Sequence, residues 1–544
     1  MTAPAPGAAG VVLGASFGGD GHVLRSVVVA ACGLSILLSG VRWLRVAQRE
    51  HYLADSASRF AVRWGAVVPV NTLGLAVAVT GVVLASRWPV TALATAVVVA
   101  VGPVGLGLRG RTAPLAWTRR LRTLAVVWIV LEAAAVTVAT LAGQGPVGAA
   151  AAALAAPALV DLACALVAPL ERRLAGAHVA RAAARLRRVA PRVVAITGSY
   201  GKTSTKGYVA HLVGGAMTVV ASPASFNNRA GLARAVNEHL ADGTEVFVAE
   251  MGTYGPGEIA ELCTWVRPEV AVITAIGPVH LERFRSEERV LGAKAEILAG
   301  ARCAVLVVDD PRLAALADAT AAGGTTVWRA SGRDPGADVA VTGGPGGRRV
   351  HVRGEEIARD VEVDVRPGNL AAAVAVAVEL GVPPADVARR LATLPASPHR
   401  LEPSVSPGGF AVLDDTYNAN PAGARAALEA LERLGQGAQR RVVVTPGMVE
   451  LGARQAEENA RFAREAAGVA TDLVVVGRTN RRALRRGARA SSGTSAPAVG
   501  EPAGTRPVRV VVVRTRDQAI GWVRAHLGRG DVVLYENDLP DHYP

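Results

Sequence analysis

Apolar positions crowd the first third of the chain, in five stretches that short polar connections separate. Each stretch is about long enough to cross the ~30 Å hydrocarbon core of a bilayer as a helix. The predicted spans are residues 26–44, 64–86, 89–108, 124–141 and 147–170. Residues 1–171 are therefore predicted to form an α-helical membrane domain.

Charge alternates between the connections of this predicted domain. Arginines follow the first, third and fifth spans, whereas the connections after the second and fourth spans are nearly uncharged. The positive-inside rule then predicts that the N-terminus lies outside and that everything after residue 171 is cytoplasmic. A cleaved signal sequence is the alternative for the first span, but no basic segment precedes it and no clear cleavage site follows it.

Two features of the apolar region need separate interpretation. Glu132 and Asp161 fall within predicted spans, where buried acids either serve a function or help helices to pack. Residues 172–190 are rich in arginine and predict an amphipathic linker helix on the anionic inner leaflet. This linker would lead into the first strand of the next domain.

After residue 190 the pattern changes to alternating strands and helices. A β-branched run predicts a buried strand, and the chain then turns at Gly198 and Gly201 before a helix that starts at Lys202. Such a turn directs backbone N–H groups at a polyphosphate. Lys202 would neutralise the terminal phosphates, and Thr203 would offer its hydroxyl to Mg²⁺. A purely structural turn is the alternative, because Ile196 stands where the longer P-loop pattern has its first glycine.

Lysine is rare in this chain. Of the 59 lysines and arginines, only Lys202, Lys206 and Lys294 are lysines. A lysine that remains in such a sequence is expected where a guanidinium cannot replace it. Binding phosphate as a point charge is one such task, and losing a proton in order to react is another.

Overall composition narrows the class of protein. The net charge of +14 would suit a nucleic-acid-binding protein, but the arginines flank apolar spans and only 4% of the residues are aromatic. Membrane topology explains this charge, so no nucleic-acid partner is predicted. The four cysteines form no C-x-x-C pair and predict neither a zinc site nor a disulfide framework.

Polar groups follow the next two predicted strands. Glu250 ends a strand at residues 245–250, and His280 follows a strand at residues 270–276. In a doubly wound sheet the carboxyl ends of strands face the ligand crevice, where Glu250 is placed to hold Mg²⁺. An acid that only contacts solvent is the alternative. Lys294 lies on the helix that comes next.

Several motifs resemble the Mur ligases, the ATP-dependent amide-forming enzymes that build the peptidoglycan stem peptide. The motifs of the central domain begin at Gly198, Glu250, His280 and Ala293. The segment Asp-Asp-Thr-Tyr-Asn-Ala-Asn-Pro at residues 414–421 resembles a signature of the MurF branch, which adds D-alanyl-D-alanine to UDP-N-acetylmuramoyl tripeptide. Phe-Asn-Asn at residues 226–228 matches a loop of the same branch. The resemblance covers about residues 191–540.

The resemblance implies two α/β domains after the helical region. A P-loop-type ATPase domain with a mostly parallel sheet would occupy residues 191–396, and a Rossmann-like domain would occupy residues 397–544. Strands of the latter are predicted at residues 441–445, 472–476, 508–513 and 532–535. Residues 491–507 are rich in Ser, Gly, Ala and Pro and predict a flexible insertion loop.

The resemblance also implies a site, residue by residue. ATP would contact Gly198, Ser199, Tyr200, Gly201, Lys202, Thr203, Ser204, Asn369, Asp415, Tyr417 and Asn418. Two Mg²⁺ ions would be held by Thr203, Glu250, His280 and a carbamylated Lys294. The catalytic residues would be Lys202, His280, Lys294 and Arg400, and the substrates would contact Asn227, Asn228 and Asn420.

The implied reaction is phosphorylation of an acceptor carboxylate by ATP, followed by attack of an amine on the acyl phosphate. Implied partners are a peptidoglycan precursor, a D-amino-acid dipeptide or similar amine, the lipid bilayer and other cell-wall synthesis proteins, at the cytoplasmic face of a bacterial plasma membrane. In the resembling enzymes an N-terminal domain grips the UDP-sugar, whereas membrane helices are predicted here. The alternatives are a Mur-like ligase acting on a membrane-bound or polyglutamate acceptor, and a non-catalytic membrane protein that binds ATP as a signal.

Overall fold

The computed structural model divides the chain into two compact units. The first comprises Met1–Arg173 and Leu539–Pro544, and the second comprises Leu174–Asp538. The described residues are 17–108, 115–223, 226–344, 347–361, 366–395, 402–416, 420–491, 507–539 and 542–543. Within them the predicted fold class is confirmed, because a helical region precedes two α/β domains.

Helices build the first unit. They are α1 (Phe17–Arg49), α2 (Ser56–Val67), α3 (Pro69–Leu84), α4 (Ala92–Val101), α5 (Arg119–Leu141) and α6 (Gly145–Val189), with a 3₁₀ turn at Pro89–Thr91. Small residues allow close packing at some contacts. A Cβ on Gly40 of α1 would lie only 2.0 Å from the indole of Trp128 on α5.

The apolar helices fit association with a membrane, but they are fewer than the five spans predicted. Within the described ranges, three helices are long and apolar enough to cross a bilayer: His22–Arg49, Arg119–Leu141 and Gly145–Val189. The pair α2 and α3 would add a fourth if counted as one span, although the two helices meet at an angle of 114°. The third predicted span contains only the short apolar helix Pro89–Val101, because prolines interrupt the apolar run.

The acid at position 161 has a structural partner within this unit. Both carboxylate oxygens of Asp161 on α6 accept hydrogen bonds from the start of α2, from Ala57 N at 2.9 Å and Ser58 N at 2.8 Å. These N–H groups have no partner inside their own helix. Asp161 therefore joins α6 to the N-terminus of α2. Glu132 accepts a bond of 3.0 Å from the indole of Trp128.

The end of the chain packs into the first unit. His542 is 1% exposed, and its Nε2 lies 3.0 Å from a carboxylate oxygen of Glu50. The indole N–H of Trp64 donates to the carbonyl of His542 at 2.9 Å, and the ring of Phe60 contacts both His542 and Tyr543. The predicted C-terminal domain extended to residue 544, whereas these last described residues belong with the helices.

The predicted linker helix is not a separate element. Residues 172–189 continue α6 without a break, and in the second unit this part of the helix is packed on the central sheet. Its apolar residues Val179, Ala182 and Leu186 are buried in the core there. These apolar residues therefore pack against the protein core.

A nine-stranded sheet forms the centre of the second unit, in the order β2-β3-β1-β4-β5-β6-β7-β8-β9. Its strands are β1 (Arg192–Thr197), β2 (Val219–Ala221), β3 (Val246–Glu250), β4 (Val270–Ile273), β5 (Cys303–Val307), β6 (Thr326–Ser331), β7 (Val339–Thr342), β8 (Arg348–Val352) and β9 (Glu355–Val361). Pairing is parallel from β2 to β7 and antiparallel at β8 and β9. The parallel strands are short apolar runs because helices cover both faces.

The helices of this domain are α7 (Lys202–Val213), α8 (Arg229–His239), α9 (Glu258–Val266), α10 (Leu281–Phe284), α11 (Glu287–Ala295), α12 (Pro311–Ala322), α13 (Pro367–Glu379) and α14 (Pro384–Leu391). One core contains α7, α13 and α14, and the other contains α8, α9, α12 and the end of α6. The carboxyl ends of β1, β3 and β4 open on the same edge of the sheet, as expected for a ligand crevice.

A six-stranded sheet follows, in the order β10-β11-β15-β12-β13-β14, parallel except for β10. Its strands are β10 (Glu402–Val405), β11 (Ala411–Asp415), β12 (Arg441–Thr445), β13 (Asp472–Val476), β14 (Arg509–Val513) and β15 (Val532–Glu536). Its helices are α15 (Pro421–Leu434), α16 (Gln455–Val469), α17 (Arg481–Ser491) and α18 (Arg516–His526). The predicted insertion loop lies almost entirely outside the described residues.

Candidate active site

The glycine turn between β1 and α7 has the geometry of a phosphate-binding loop. Gly201 has φ +80° and comes directly before α7, and a Cβ there would lie 2.4 Å from Oδ1 of Asn369. Gly198 has φ +153°, and a Cβ there would lie 2.0 Å from the hydroxyl of Thr274. Both positions therefore require glycine. The first N–H groups of α7 remain free of helical partners and form an anion site.

Side chains of the loop have distinct positions. Lys202 Nζ donates to the carbonyl of Gly198 at 2.9 Å, so its charge lies over the turn. The hydroxyl of Ser199 accepts from Gly277 N at 3.0 Å, which links the loop to the segment after β4. Tyr200 and Ser204 are each 9% exposed. Burial raises the pKa of Tyr200 above its usual range.

A buried carboxylate ends β3 beside this loop. Glu250 is 2% exposed, and its Oε2 accepts from Thr203 Oγ1 at 3.0 Å and from Lys206 Nζ at 3.0 Å. Its Oε1 accepts from Asn227 Nδ2 at 3.3 Å. Thr203, predicted with Glu250 as a Mg²⁺ ligand, and Asn227, predicted as a substrate contact, therefore both lie within hydrogen-bonding distance of Glu250. Lys206 was not predicted as a site residue, although the scarcity of lysine marked it.

Lys294 is a buried amine close to the phosphate loop. It lies on α11 and is 3% exposed. Burial lowers the pKa of Lys294 well below its usual value, and the positive charge of Lys202 lowers it further. This shift favours the neutral form of the amine, the form in which an amine reacts as a nucleophile.

His280 meets the C-terminal domain. It adopts φ +52° before α10, its Nδ1 contacts a carboxylate oxygen of Glu450, and its ring lies 4.8 Å from that of Tyr254. Glu287 on α11 contacts both Arg312 on α12 and Arg454 in the turn before α16. These contacts connect the two α/β domains within the second unit.

A cavity of about 360 Å³ lies next to these contacts. Its lining includes three arginines, two glutamates and residues of both domains: Leu281, Arg285, Ser286, Glu287, Glu288, Arg312, Ala453 and Arg454. Such a cleft, with converging charged groups, is a typical position for a bound substrate.

Two family models match the chain. The Mur ligase middle domain matches residues 196–366, and the Mur ligase glutamate ligase domain matches residues 399–535. The UDP-N-acetylmuramoyl-tripeptide–D-alanyl-D-alanine ligase of Mycobacterium leprae is 34% identical over 376 residues, which are 63% of this chain and 70% of that ligase. The chain belongs to the Mur ligase family.

Solved structures share the fold of the second unit. MurF from Acinetobacter baumannii has a TM-score of 0.55 and 24% sequence identity, and the match covers 66% of this chain and 77% of that one. MurF from Thermotoga maritima, solved in complex with ADP, has a TM-score of 0.51 and 24% identity over 67% of this chain and 80% of that one. As a Mur ligase the chain is an ATP-dependent ligase, which confirms the predicted enzyme class.

Two of the asparagines expected to contact substrate cap helices of the ligase. Asn228 Oδ1 accepts from Gly231 N at 2.9 Å at the start of α8, and Asn420 Oδ1 accepts from Gly423 N at 2.8 Å at the start of α15. Each side chain thus satisfies an N–H that the helix leaves open. Three further predicted residues, Arg400, Tyr417 and Asn418, lie outside the described residues.

The C-terminal domain contains a buried acid, Glu536, that the sequence analysis did not single out. Asp415 ends β11, is 1% exposed and is aligned with Glu536 at the end of β15. Glu536 is fully buried and accepts from Thr445 Oγ1 at 2.6 Å. Burial, assisted by the charge of Asp415, raises the pKa of Glu536 to about 8. The position of Glu536 at the end of a strand was the sequence feature that could have identified it.

The described side chains do not by themselves form a complete set of metal ligands. Within the described ranges, no three or more His, Cys, Asp and Glu side chains come together as a metal-binding group. The oxygens of Thr203 and Glu250 lie 3.0 Å apart beside the phosphate loop. This pair fits a Mg²⁺ ion that takes its remaining ligands from nucleotide phosphates and water.

Proposed function

We propose that this Mur ligase joins D-alanyl-D-alanine to UDP-N-acetylmuramoyl tripeptide, with ATP, at the cytoplasmic face of a bacterial plasma membrane. The observation that carries the proposal is the similarity to the Mycobacterium leprae ligase of that name, which spans 70% of that enzyme. The buried amine of Lys294 supports it, because burial and the charge of Lys202 in the phosphate loop both lower its pKa and so favour its reactive, uncharged form.

The reaction would proceed in two steps. The acceptor carboxylate attacks the γ-phosphorus of ATP, a P–O bond breaks and ADP leaves, which produces an acyl phosphate. The amine of D-alanyl-D-alanine then attacks the acyl carbon, the C–O bond to phosphate breaks, and the amine loses a proton. Lys202 and the first N–H groups of α7 would bind the negative phosphate oxygens during the first step.

Metal ions would supply further positive charge to the transferring phosphoryl group. We propose Thr203 and Glu250 as ligands of the first Mg²⁺, and His280 with carbamylated Lys294 as ligands of the second. In its uncharged form the amine of Lys294 would add to CO₂ with loss of a proton, and the resulting carbamate would offer an oxygen ligand. The contact of His280 Nδ1 with Glu450 leaves Nε2 for a metal, as in many metal-bound histidines.

The nucleotide would lie between the domains. Asn369 at the start of α13 touches the phosphate loop, and Asp415 is at the crevice end of β11. With the rest of the loop, and with Arg400, Tyr417 and Asn418, they form the proposed ATP site. Closure of the two domains would exclude water, which otherwise hydrolyses the acyl phosphate.

Membrane attachment is the second part of the proposal. The three long apolar helices support a multi-pass protein. The arginine-rich connections support an orientation with the N-terminus outside and the ligase inside. A bilayer and other cell-wall synthesis proteins are then the expected partners.

One observation favours a different acceptor. Among the described residues, the region that precedes the middle domain is mainly helical and apolar, and it lies outside both matched family models. A membrane-bound precursor would be brought to the ligase by such a region. The second candidate is therefore the same amide-forming reaction on a lipid-linked or similar acceptor.

Phosphate release by the detergent-solubilised chain tests the proposal. We expect turnover that requires ATP, Mg²⁺, UDP-N-acetylmuramoyl tripeptide and D-alanyl-D-alanine together. Lys294→Ala should abolish turnover, whereas Arg389→Ala, which removes an exposed ion pair with Asp386 on α14, should leave it unchanged. Nucleotide binding without turnover on the soluble acceptor would favour the membrane-bound acceptor.

A further inference from the structure

Lys206 is the one lysine of the chain to which the proposed reaction gives no role. Lys206 lies in the second turn of α7, is 5% exposed and donates from Nζ to Glu250 Oε2 at 3.0 Å. It is not a phosphate ligand by pattern, since the P-loop motif ends at the residue after Lys202. Its partner is the carboxylate proposed to hold Mg²⁺.

A buried carboxylate such as Glu250 needs a counter-charge. An ionised acid that is only 2% exposed loses most of its hydration, and hydrogen bonds from neutral groups replace only part of that loss. Thr203 and Asn227 provide the neutral bonds, whereas Lys206 provides a full positive charge. The ion pair therefore compensates the charge of Glu250 and holds its carboxylate beside the phosphate loop.

One oxygen of Glu250, Oε2, would have to interact with both Lys206 and the proposed Mg²⁺. Oε2 of Glu250 accepts from Lys206 and lies 3.0 Å from the Thr203 hydroxyl, the two oxygens that would face Mg²⁺. An ammonium and a divalent cation a few ångströms apart repel one another strongly in a buried site. Lys206 and Mg²⁺ can both use Glu250 only if the ammonium group moves away from Oε2 when the metal binds.

We infer that Lys206 is a resident counter-cation, which holds Glu250 ready before the metal–nucleotide complex binds and then gives up Oε2. This inference rests on the proposed role of Glu250 as a Mg²⁺ ligand. Lysine suits the task because its flexible stem carries a compact charge that can withdraw, whereas a guanidinium is a larger, planar group. Lys206 is thus a positioning residue that also weakens Mg²⁺ binding.

Thermal unfolding of the full chain in detergent tests the inference without measuring turnover. The melting temperature is recorded with EDTA, and then during a Mg²⁺ titration in the presence of ADP. In EDTA, Lys206→Met should melt about 5–10 °C below wild type, because it leaves a buried unpaired carboxylate. With ADP, Mg²⁺ should raise the melting temperature of K206M more than that of wild type, at a roughly tenfold lower half-saturating concentration.

Three variants serve as controls. Lys206→Arg retains the charge but not the compact group that can withdraw, so it should stay closer to wild type than K206M in EDTA and respond to Mg²⁺ more weakly than wild type. Arg389→Met removes an exposed pair with Asp386 on α14 and should change neither the melting temperature nor the Mg²⁺ response. The double variant K206M/E250Q contains no unpaired buried charge, so it should recover stability in EDTA and lose the Mg²⁺ response.

Two results separate failure of the inference from failure of the proposed metal site. Equal Mg²⁺ responses of wild type and K206M would overturn the role of Lys206, provided that Glu250→Gln abolishes the response. A Mg²⁺ response that survives in E250Q would remove Glu250 from the metal site and the inference with it. If K206M alone does not fold, comparison of K206R, E250Q and the double variant still decides between these outcomes.

Discussion

Replacing Glu536 by glutamine should remove a large part of the pH dependence of the C-terminal domain. Glu536 is fully buried at the end of β15, beside Asp415, and its pKa is raised from 4.5 to about 8. The folded protein therefore holds the proton more tightly than the unfolded chain does. The stabilisation is complete below pH 4.5 and is lost as the pH rises towards 8.

The magnitude follows from the difference between the two pKa values. Each pKa unit corresponds to ~1.36 kcal/mol, so the domain should lose about 4 kcal/mol between pH 5 and pH 8 through Glu536 alone. Glutamine has nearly the same shape and can accept the 2.6 Å bond from Thr445, but it does not titrate. We therefore expect E536Q to be more stable than wild type at pH 8, and the two proteins to converge near pH 5.

The assay is urea unfolding of the full chain in detergent between pH 5 and pH 8.5. After equilibration, a brief pulse of amide exchange at one common pH reports the unfolded fraction of peptides that cover β12 and β15. Thr445→Val removes a hydrogen bond that lowers the pKa of Glu536, so its loss of stability should extend to higher pH. Parallel pH profiles for wild type and E536Q would refute the reasoning, because Glu536 would then titrate normally.

Three shorter predictions concern other contacts. Gly201→Ala should reduce ATP binding at least tenfold by calorimetry, because the new Cβ would lie 2.4 Å from Oδ1 of Asn369 at a φ of +80°; unchanged binding would contradict the geometry. Asp161→Ala should lower the melting temperature of the helical unit, since two N–H groups at the start of α2 lose their acceptor at a cost of about 1–3 kcal/mol. His542→Ala should expose the buried Glu50 and increase amide exchange at the end of α1, and protection equal to wild type would show that the tail contributes nothing.

The phosphate loop could be predicted because its signal is local. A β-branched run, two glycines and a lysine within ten residues define strand, turn and helix start, and Gly198, Gly201 and Lys202 have the predicted positions. Glu250 could be predicted for the same reason, as a strand-end acid. Both predictions needed only the rule that parallel strands open on one edge.

The contacts of His280 and Glu536 could not be predicted in this way. His280 meets Glu450 only because two domains fold against each other, and Glu536 meets Asp415 only because β15 inserts between β11 and β12. No local pattern encodes that order of strands. The strand-end position of Glu536 was visible, but its partner was not.

More membrane spans were predicted than the described residues contain. The length of an apolar run does not show whether the chain bends within it. Pro69 starts α3 and has no N–H to continue α2, so the chain bends by 114° within a single apolar run. Pro89 starts a new helical turn in the same manner. Proline at the first position of a helix was a readable signal.

The capping role of an asparagine at a helix start could also be predicted from the sequence. Such a local role can differ from the role that family resemblance assigns to the same residue. Asn420 precedes Pro421, the arrangement typical of an N-cap followed by proline at the first helical position. Likeness to MurF suggested a substrate contact for the same residue. An asparagine side chain carries both an acceptor and a donor, so capping through Oδ1 and contact with a ligand are compatible roles.

The three lysines connect the composition of the chain to the chemistry of its site. Separately, positions 202, 206 and 294 predict nothing about each other, yet all three lie around the phosphate loop: one over its turn, one on Glu250, and one close enough for Lys202 to lower its pKa. Each position makes a demand that arginine cannot meet. A point charge over a narrow turn, a charge that can withdraw, and an amine that can be neutral all exclude a planar, permanently charged guanidinium. In a chain biased so strongly towards arginine, rarity itself therefore indicated the site.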